Sequence, residues 1–160
     1  QWFMGPVVSV QAEASTLIHD RIEVEDTAVA VLRFANGALG VIEGSTAVFP
    51  GFMKRIEISG SGGSVVLEEE DLKLWQFAEE SYIDDEIRSR FQSKTVSGGG
   101  VSDPKAIGYH GHQHQFEDFC NSLRSGTAPL VDGREARKSV EIILAIYASA
   151  KTGTRIDLPL

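Results

Sequence analysis

The spacing of the apolar residues changes once along the chain, and this change restricts the possible folds more than any other feature. Between residues 7 and 77, apolar residues alternate with polar ones or form short runs bounded by turn residues, which is typical of strands. Between residues 110 and 152 they recur every three or four positions, which is typical of amphipathic helices. Strands followed by helices predict an α+β fold, a two-layer sandwich in which helices cover one face of an open, mostly antiparallel sheet of about six or more strands.

Two segments show the strand prediction most clearly. Thr27 to Phe34 is an almost continuous apolar run, which is typical of a central strand covered on both faces. Asn36-Gly37 follows it and predicts a tight hairpin turn in which both residues have positive φ, with Leu39 to Thr46 as the returning strand. Farther along, Gly60-Ser61-Gly62-Gly63-Ser64 joins two predicted strands. It therefore indicates another hairpin and not a phosphate-binding loop, which needs a helix after it.

Two helices are predicted in the second half of the chain. The first carries an apolar stripe at helical spacing, formed by Phe116, Phe119, Cys120 and Leu123. The second begins at Asp132-Gly133-Arg134-Glu135, which has the spacing of a capping box, and its predicted stripe comprises Val140, Ile143, Leu144 and Tyr147. Residues 78 to 108 are weakly patterned and include Gly98-Gly99-Gly100; within them, Ile83 to Phe91 fits either a short helix or a strand.

Length, charge and cysteine content exclude several classes of protein. The chain has 160 residues, about the size of one domain, so residues 1 to 160 are predicted to form a single domain. Its net charge of −8 argues against a nucleic-acid partner or an anionic membrane surface, since both need clustered Lys and Arg. No apolar run is long enough to span a membrane. The single cysteine, Cys120, predicts a cytoplasmic protein, and Gln1 in place of Met indicates that a longer chain was cut.

One run of histidines stands out among the residues that carry chemistry. In His110-Gly111-His112-Gln113-His114, a strand would place all three histidines on one face, where they could bind a transition metal. The run opens a predicted helix, however, in which only His110 and His114 lie one turn apart. His112 then falls on the apolar stripe and is expected to pack. A polar helix start is therefore favoured over a metal site, with a ligand-facing loop that includes Tyr109 as an intermediate interpretation.

Polar residues also interrupt the predicted central hairpin. Arg33 lies within an apolar strand, and Glu43 precedes Gly44 and Ser45 in the next one. Such residues can point into a ligand cleft or an interface, although a salt bridge or a position at the sheet edge is the more common explanation. No self-sufficient catalytic motif accompanies them, since the sequence has no GKS or GKT segment, no Gly-x-Ser-x-Gly elbow and no Cys-x-x-Cys.

Several segments, taken in order, resemble the C-terminal domain of the Gfo/Idh/MocA oxidoreductases, the family of glucose–fructose oxidoreductase and inositol dehydrogenase. The segments are Trp2-Phe3-Met4-Gly5-Pro6-Val7, Glu25-Asp26-Thr27, Phe34-Ala35-Asn36-Gly37-Ala38-Leu39-Gly40 with Ser45, Ile56 to Gly63, Phe116 to Phe119, Pro129-Leu130-Val131-Asp132-Gly133 and Ala145 to Ala150. The resemblance covers nearly the whole chain except residues 78 to 108. Each motif is short, and it is their common order and spacing that makes the resemblance specific.

The resemblance implies an enzyme that uses NAD or NADP to oxidise a hydroxyl of a sugar, inositol or similar polyol. In that family a Rossmann domain binds the cofactor, while the C-terminal domain helps to wall the substrate cleft and often forms the oligomer interface. This sequence contains no counterpart of the Rossmann domain, of the Glu-Lys-Pro segment or of the Asp-x-x-x-His pair. No catalytic, cofactor-binding or metal-binding residue is therefore assigned, and the 160-residue chain alone is expected to be inactive and to bind no cofactor.

The resemblance also suggests substrate-binding residues, because the stretch entering the penultimate long helix lies near the substrate in this family. The candidates are Tyr109, His110, His112 and His114, with Glu43 and Ser45 as further ones. A sheet with an apolar outer face is expected to pair face to face in a two-fold dimer or higher homo-oligomer. Three other functions stay open: a non-enzymatic sugar-sensing regulator or scaffold, a redox-assisted NAD-dependent glycosidase, and a free-standing binding module.

Overall fold

The computed structural model describes residues 1–69, 71–91 and 109–160, and it confirms an α+β fold with antiparallel strands. The described elements are β1 Val7–Ser15, β2 Thr27–Phe34, β3 Leu39–Ser45, β4 Arg55–Gly60, β5 Gly63–Glu68, β6 Asp71–Phe77, α1 Tyr82–Phe91, α2 His110–Ser125, α3 Gly133–Thr152 and β7 Ile156–Asp157. They fall into two compact units, of which the first comprises Gln1–Val48 with His110–Leu160 and the second Phe49–Tyr109. The Gly98-Gly99-Gly100 segment lies outside the described residues.

The first unit is built on a four-stranded antiparallel sheet with strand order β3-β2-β1-β7. Alternation along β1 and β2 turns two sets of side chains to opposite faces. The inner face, which α3 covers, comprises Val10, Ala12, Ala30, Leu32 and Phe34. The outer face comprises Gln11, Glu13, Val29, Val31, Arg33, Val41 and Glu43. Both faces follow from the register, in which Val31 pairs with Gln11 on one side and with Val41 on the other.

Small residues bring α3 close to this sheet. Ala145 and Ser149 are completely buried, and Ile142 and Ile146 pack around the same core. The Oγ of Ser149 accepts from the backbone N–H of Ala12 at 2.9 Å and donates to the carbonyl oxygen of Thr154 at 2.7 Å. The predicted stripe of Val140, Ile143, Leu144 and Tyr147 lies on an exposed side of the helix. The stripe predicted from large apolar residues was not the buried side of α3, because alanine and serine form the closest contacts between the helix and the sheet.

The central hairpin differs from its prediction in two respects. Within the single chain, β2 is covered on one face and not on both, since Val29 and Val31 are exposed on the outer face. The turn is also not a two-residue one: among the residues at its tip only Gly37 has a positive φ, of 89°. Gly37 donates to the carbonyl of Phe34 at 3.0 Å, and Phe34 donates to the carbonyl of Ala38 at 2.9 Å. This pattern is a three-residue loop with a glycine bulge.

The second unit contains an antiparallel sheet of order β4-β5-β6, and α1 packs against β6. The segment Ile83 to Phe91, which fitted a helix or a strand, lies in α1. The helix begins at a capping arrangement, because the side chain of Asp84 accepts from the backbone N–H of Ser81 at 2.7 Å and from the indole N–H of Trp75 at 2.8 Å. Both contacts lower the pKa of Asp84 and fix the helix to the sheet.

No helix within the described ranges is long and apolar enough to cross a membrane.

Candidate functional site

The histidine run forms the first turns of α2. The side chains of four residues at this end of the helix are exposed: Tyr109, His110, His112 and His114. The expectation that His112 packs is therefore wrong in this chain. Its neighbours on the helix are exposed as well, since the apolar stripe of α2 is not covered: Phe116 is 70% and Leu123 69% exposed. His112 and His114 are thus exposed beside an apolar stripe that the described residues leave uncovered.

A cavity of about 330 Å³ lies beside the second turn of α2. Its lining comprises His114, Gln115, Asp118, Phe119, Pro129, Leu130 and Val131. Asp118 fixes its shape, because one carboxylate oxygen accepts from the backbone N–H of Leu130 at 2.8 Å and so ties the α2–α3 connection to the helix. The cavity combines apolar walls with an imidazole, an amide and a carboxylate, and its volume falls at the lower end of small-molecule sites. Of the predicted substrate residues, only His114 lines it.

Glu43 and Ser45 lie elsewhere, on the outer face of β3. Glu43 is exposed opposite Val29, and Ser45 is paired with Thr27. The hydroxyl of Ser45 is 2.9 Å from that of Thr27 and accepts from the backbone N–H of Ala47 at 3.0 Å. The predicted site residues thus form two separate groups on different elements, and the structure does not bring Glu43 or Ser45 to the lining of the α2 cavity.

One polar residue that sequence reasoning did not assign to any role fixes the loop between β1 and β2. The carboxylate of Asp26 accepts from the backbone N–H groups of His19, Leu17 and Ile18 at 2.8–2.9 Å, and it is buried. These hydrogen bonds hold the pKa of Asp26 far below its ordinary value. The loop is also joined to α3, since the phenol of Tyr147 donates to Glu25 at 2.8 Å, which raises the pKa of Tyr147.

No group of three His, Cys, Asp or Glu side chains arranged to hold a metal ion is found in residues 1–69, 71–91 and 109–160. The three histidines of α2 are spaced by two residues on a helix, which turns His112 away from the other two. The helix therefore does not bring all three imidazoles to one face, as a strand would.

Comparison with solved structures identifies the class of fold. The WlbA dehydrogenase from Bordetella pertussis, in complex with NADH and UDP-GlcNAcA, superimposes with a TM-score of 0.80 and 36% identity, over 99% of this chain and 44% of that one. Levoglucosan dehydrogenase in complex with NADH and levoglucosan gives a TM-score of 0.71 at 24% identity, over 97% of this chain and 46% of that one, which supports the fold alone. The fold is thus that of one part of a larger dehydrogenase.

Sequence comparison gives the family. Residues 1–66 match the family described as the GFO/IDH/MocA C-terminal domain. The chain is 44% identical over 161 residues to the myo-inositol 2-dehydrogenase of Thermotoga maritima, an alignment that covers 95% of this chain and 42% of that protein. The chain belongs to the GFO/IDH/MocA family and corresponds to its C-terminal domain, which confirms the resemblance seen in the sequence. It spans less than half the length of these relatives.

Proposed function

We propose that this chain is the substrate-binding and oligomerisation domain of an NAD- or NADP-dependent dehydrogenase that oxidises a hydroxyl of a sugar, inositol or similar polyol. The observation that carries the proposal is the 44% identity to an inositol dehydrogenase along 95% of the chain. The relative that binds NADH together with a sugar nucleotide supports the same substrate class. The lone exposed cysteine, Cys120, is consistent with a cytoplasmic enzyme.

The cofactor would be bound by a part of the parent enzyme other than these 160 residues. The glycine-rich segment Gly60–Ser64 does not fit a dinucleotide, because it connects β4 to β5 and no helix N-terminus follows it. Glycine is required at position 63 for a steric reason, since a Cβ at this position would overlap the ring of Phe77 on the paired strand. The 160-residue chain by itself is accordingly proposed to bind no nicotinamide cofactor and to transfer no hydride.

The α2 cavity is proposed as part of the substrate cleft. Neutral imidazole both donates and accepts hydrogen bonds, and a side-chain amide does the same, so His114 and Gln115 suit a ligand rich in hydroxyl groups. Tyr109, His110 and His112 lie at or just before the first turn of the same helix and extend the polar surface toward its start. The exposed apolar stripes of α2 and α3 support packing against a further domain of the enzyme, which would close the cleft.

The test uses the full-length enzyme and replaces each histidine of α2 by alanine. His114→Ala is expected to raise KM for the polyol about tenfold with a smaller change in kcat, because hydrogen bonds to substrate hydroxyls are lost. His19→Ala serves as the matched control, since His19 lies in the β1–β2 loop and bonds to the carbonyl of Thr46. An unchanged KM across His110→Ala, His112→Ala and His114→Ala would remove the histidines from the substrate site.

The outer face of the sheet is proposed as the surface through which the protein forms a homo-oligomer. Its valines stay exposed although they occupy the middle of a sheet, and exposed apolar surface of this kind marks an interaction site. Light scattering at tens of micromolar is expected to show a dimer or a larger assembly, and a monomer would count against the proposal.

A further inference from the structure

The α2 cavity carries a carboxylate and no basic side chain among the residues that the structure describes. Asp118 lines the cavity and is half-buried, and the described lining includes neither Lys nor Arg. The basic residues that lie nearest to this lining along the chain, Arg124 and Arg134, are outside it. When its imidazole is uncharged, the cavity therefore holds one net negative charge.

The two carboxylate oxygens of Asp118 differ in their hydrogen bonds. The Oδ2 atom accepts from the backbone N–H of Leu130 at 2.8 Å, which holds the carboxylate in place at the cavity wall. Within the described ranges, Oδ1 accepts no hydrogen bond from the protein. An ionised carboxylate accepts hydrogen bonds and donates none, so Oδ1 has full capacity for a donor that a bound molecule supplies.

We propose that Asp118 selects uncharged polyols for this cavity and excludes substrates that carry a carboxylate or a phosphate. The inference rests on the proposed dehydrogenase, with the α2 cavity as part of its substrate cleft, and it specifies the charge of the substrate. A substrate hydroxyl donates to Oδ1 of Asp118, while other hydroxyls exchange hydrogen bonds with His114 and Gln115. Loss of water on binding strengthens the charge-assisted hydrogen bond to Asp118.

An acidic substrate is disfavoured by the same features. An ionised carboxylate or phosphate group offers only acceptor oxygens to Asp118, and its charge is repelled by the carboxylate. Arg and Lys side chains normally bind such groups, and the described lining has none. Family membership leaves the question open, because one relative is a dehydrogenase of uncharged myo-inositol and another binds the anion UDP-GlcNAcA. The residues of this cavity therefore decide it.

The first experiment measures kcat/KM of the full-length enzyme for neutral compounds and their acidic counterparts. The pairs are D-glucose with D-glucuronate, D-galactose with D-galacturonate, and myo-inositol with myo-inositol phosphate, at pH 8, where an ordinary imidazole is uncharged. Wild type is expected to prefer the neutral member, and Asp118→Asn to lower that preference about tenfold. Asparagine keeps a carbonyl oxygen for the N–H of Leu130 and removes only the charge. Glu117→Gln, an equal charge change at a residue bonded to Gln113, is expected to leave the preference unchanged.

The ratio of kcat/KM within each pair separates charge selection from a purely structural role of Asp118. A residue that only ties Leu130 to α2 would change kcat/KM equally for the neutral and the acidic member. A preference in Asp118→Asn equal to that of wild type would overturn the inference and leave the dehydrogenase standing, and so would a wild-type preference for the acids. Turnover of no compound at all would contradict the dehydrogenase, and the inference with it.

A second variant tests the cavity charge without changing Asp118. Gln115→Lys adds a cation to the lining and leaves the hydrogen bond between Asp118 and Leu130 in place, so it serves even where Asp118→Asn fails to fold. It is expected to raise kcat/KM for the acidic member relative to the neutral one about tenfold. Gln113→Lys is the matched control, since two residues turn a helix by about 200° and Gln113 is outside the lining. Equal shifts in the two lysine variants would contradict the inference.

Discussion

Asp26 shows how a single buried carboxylate can order a loop of irregular structure. Each of its oxygens accepts at least one backbone N–H from the segment Leu17–His19, and Thr27 donates a further hydrogen bond. Leu17 and Ile18 are held exposed as a result. The sequence contained Asp26 within a family motif but did not indicate this role, because its partners lie seven to nine residues earlier and follow no periodic pattern.

Replacing Asp26 by asparagine is expected to lower the urea midpoint of unfolding at pH 7. The amide NH₂ would face a backbone N–H, so at least one buried donor would lose its acceptor. Asp20→Asn is the matched control, since Asp20 is exposed in the same loop. A midpoint equal to that of the control would show that the carboxylate does not stabilise the loop.

The difference in unfolding free energy between wild type and Asp26→Asn should depend on pH in a defined way. The folded pKa of Asp26 lies below the unfolded value of about 3.9, so the carboxylate contributes fully above that value and progressively less as the pH falls below it. The difference in stability between wild type and Asp26→Asn is therefore expected to be constant from pH 7 to about 5 and to shrink below about 4. A difference that grows on acidification would contradict the assignment.

At the scale of elements, local pattern predicted the strands well and their burial poorly. Lys54 to Ser59 alternates in sequence and β4 is found at Arg55–Gly60, because alternation is a local property of the backbone. Whether a second layer covers a strand is not local, which is why the apolar run of β2 was taken as buried on both faces. The N-cap of α3 was predicted correctly, since Asp132 accepts from the backbone N–H groups of Arg134 and Glu135.

Ser149 supplies a test at this scale, because it joins α3 to β1. Ser149→Ala removes the acceptor for the buried N–H of Ala12 and the donor to Thr154, and is expected to cost about 1–3 kcal/mol of unfolding free energy. Ser139→Ala, on an exposed position of α3, should change stability by a few tenths at most. Urea titration followed by circular dichroism measures both, and equal stabilities would show that the contact contributes nothing.

At the scale of the whole molecule, sequence reasoning identified the family but did not assemble a site. The histidines of α2 and the Glu43–Ser45 pair came from one family analogy, yet the structure places them on separate elements. The sequence also did not predict which charges share the outer face, since this depends on the register between three strands. Arg33 alone, read along the chain, was only a polar interruption of an apolar run.

The central claim is that this chain is a domain of a polyol dehydrogenase. The most direct measurement is the reduction of NAD or NADP by the full-length protein with a panel of inositols and sugars. The account predicts turnover with at least one of them and none with the purified 160-residue chain. Turnover by the 160-residue chain would contradict the proposal that this chain alone binds no cofactor and transfers no hydride. Absence of turnover by the full-length protein with every substrate, despite binding of a sugar, would contradict the enzyme and favour a sugar-sensing regulator.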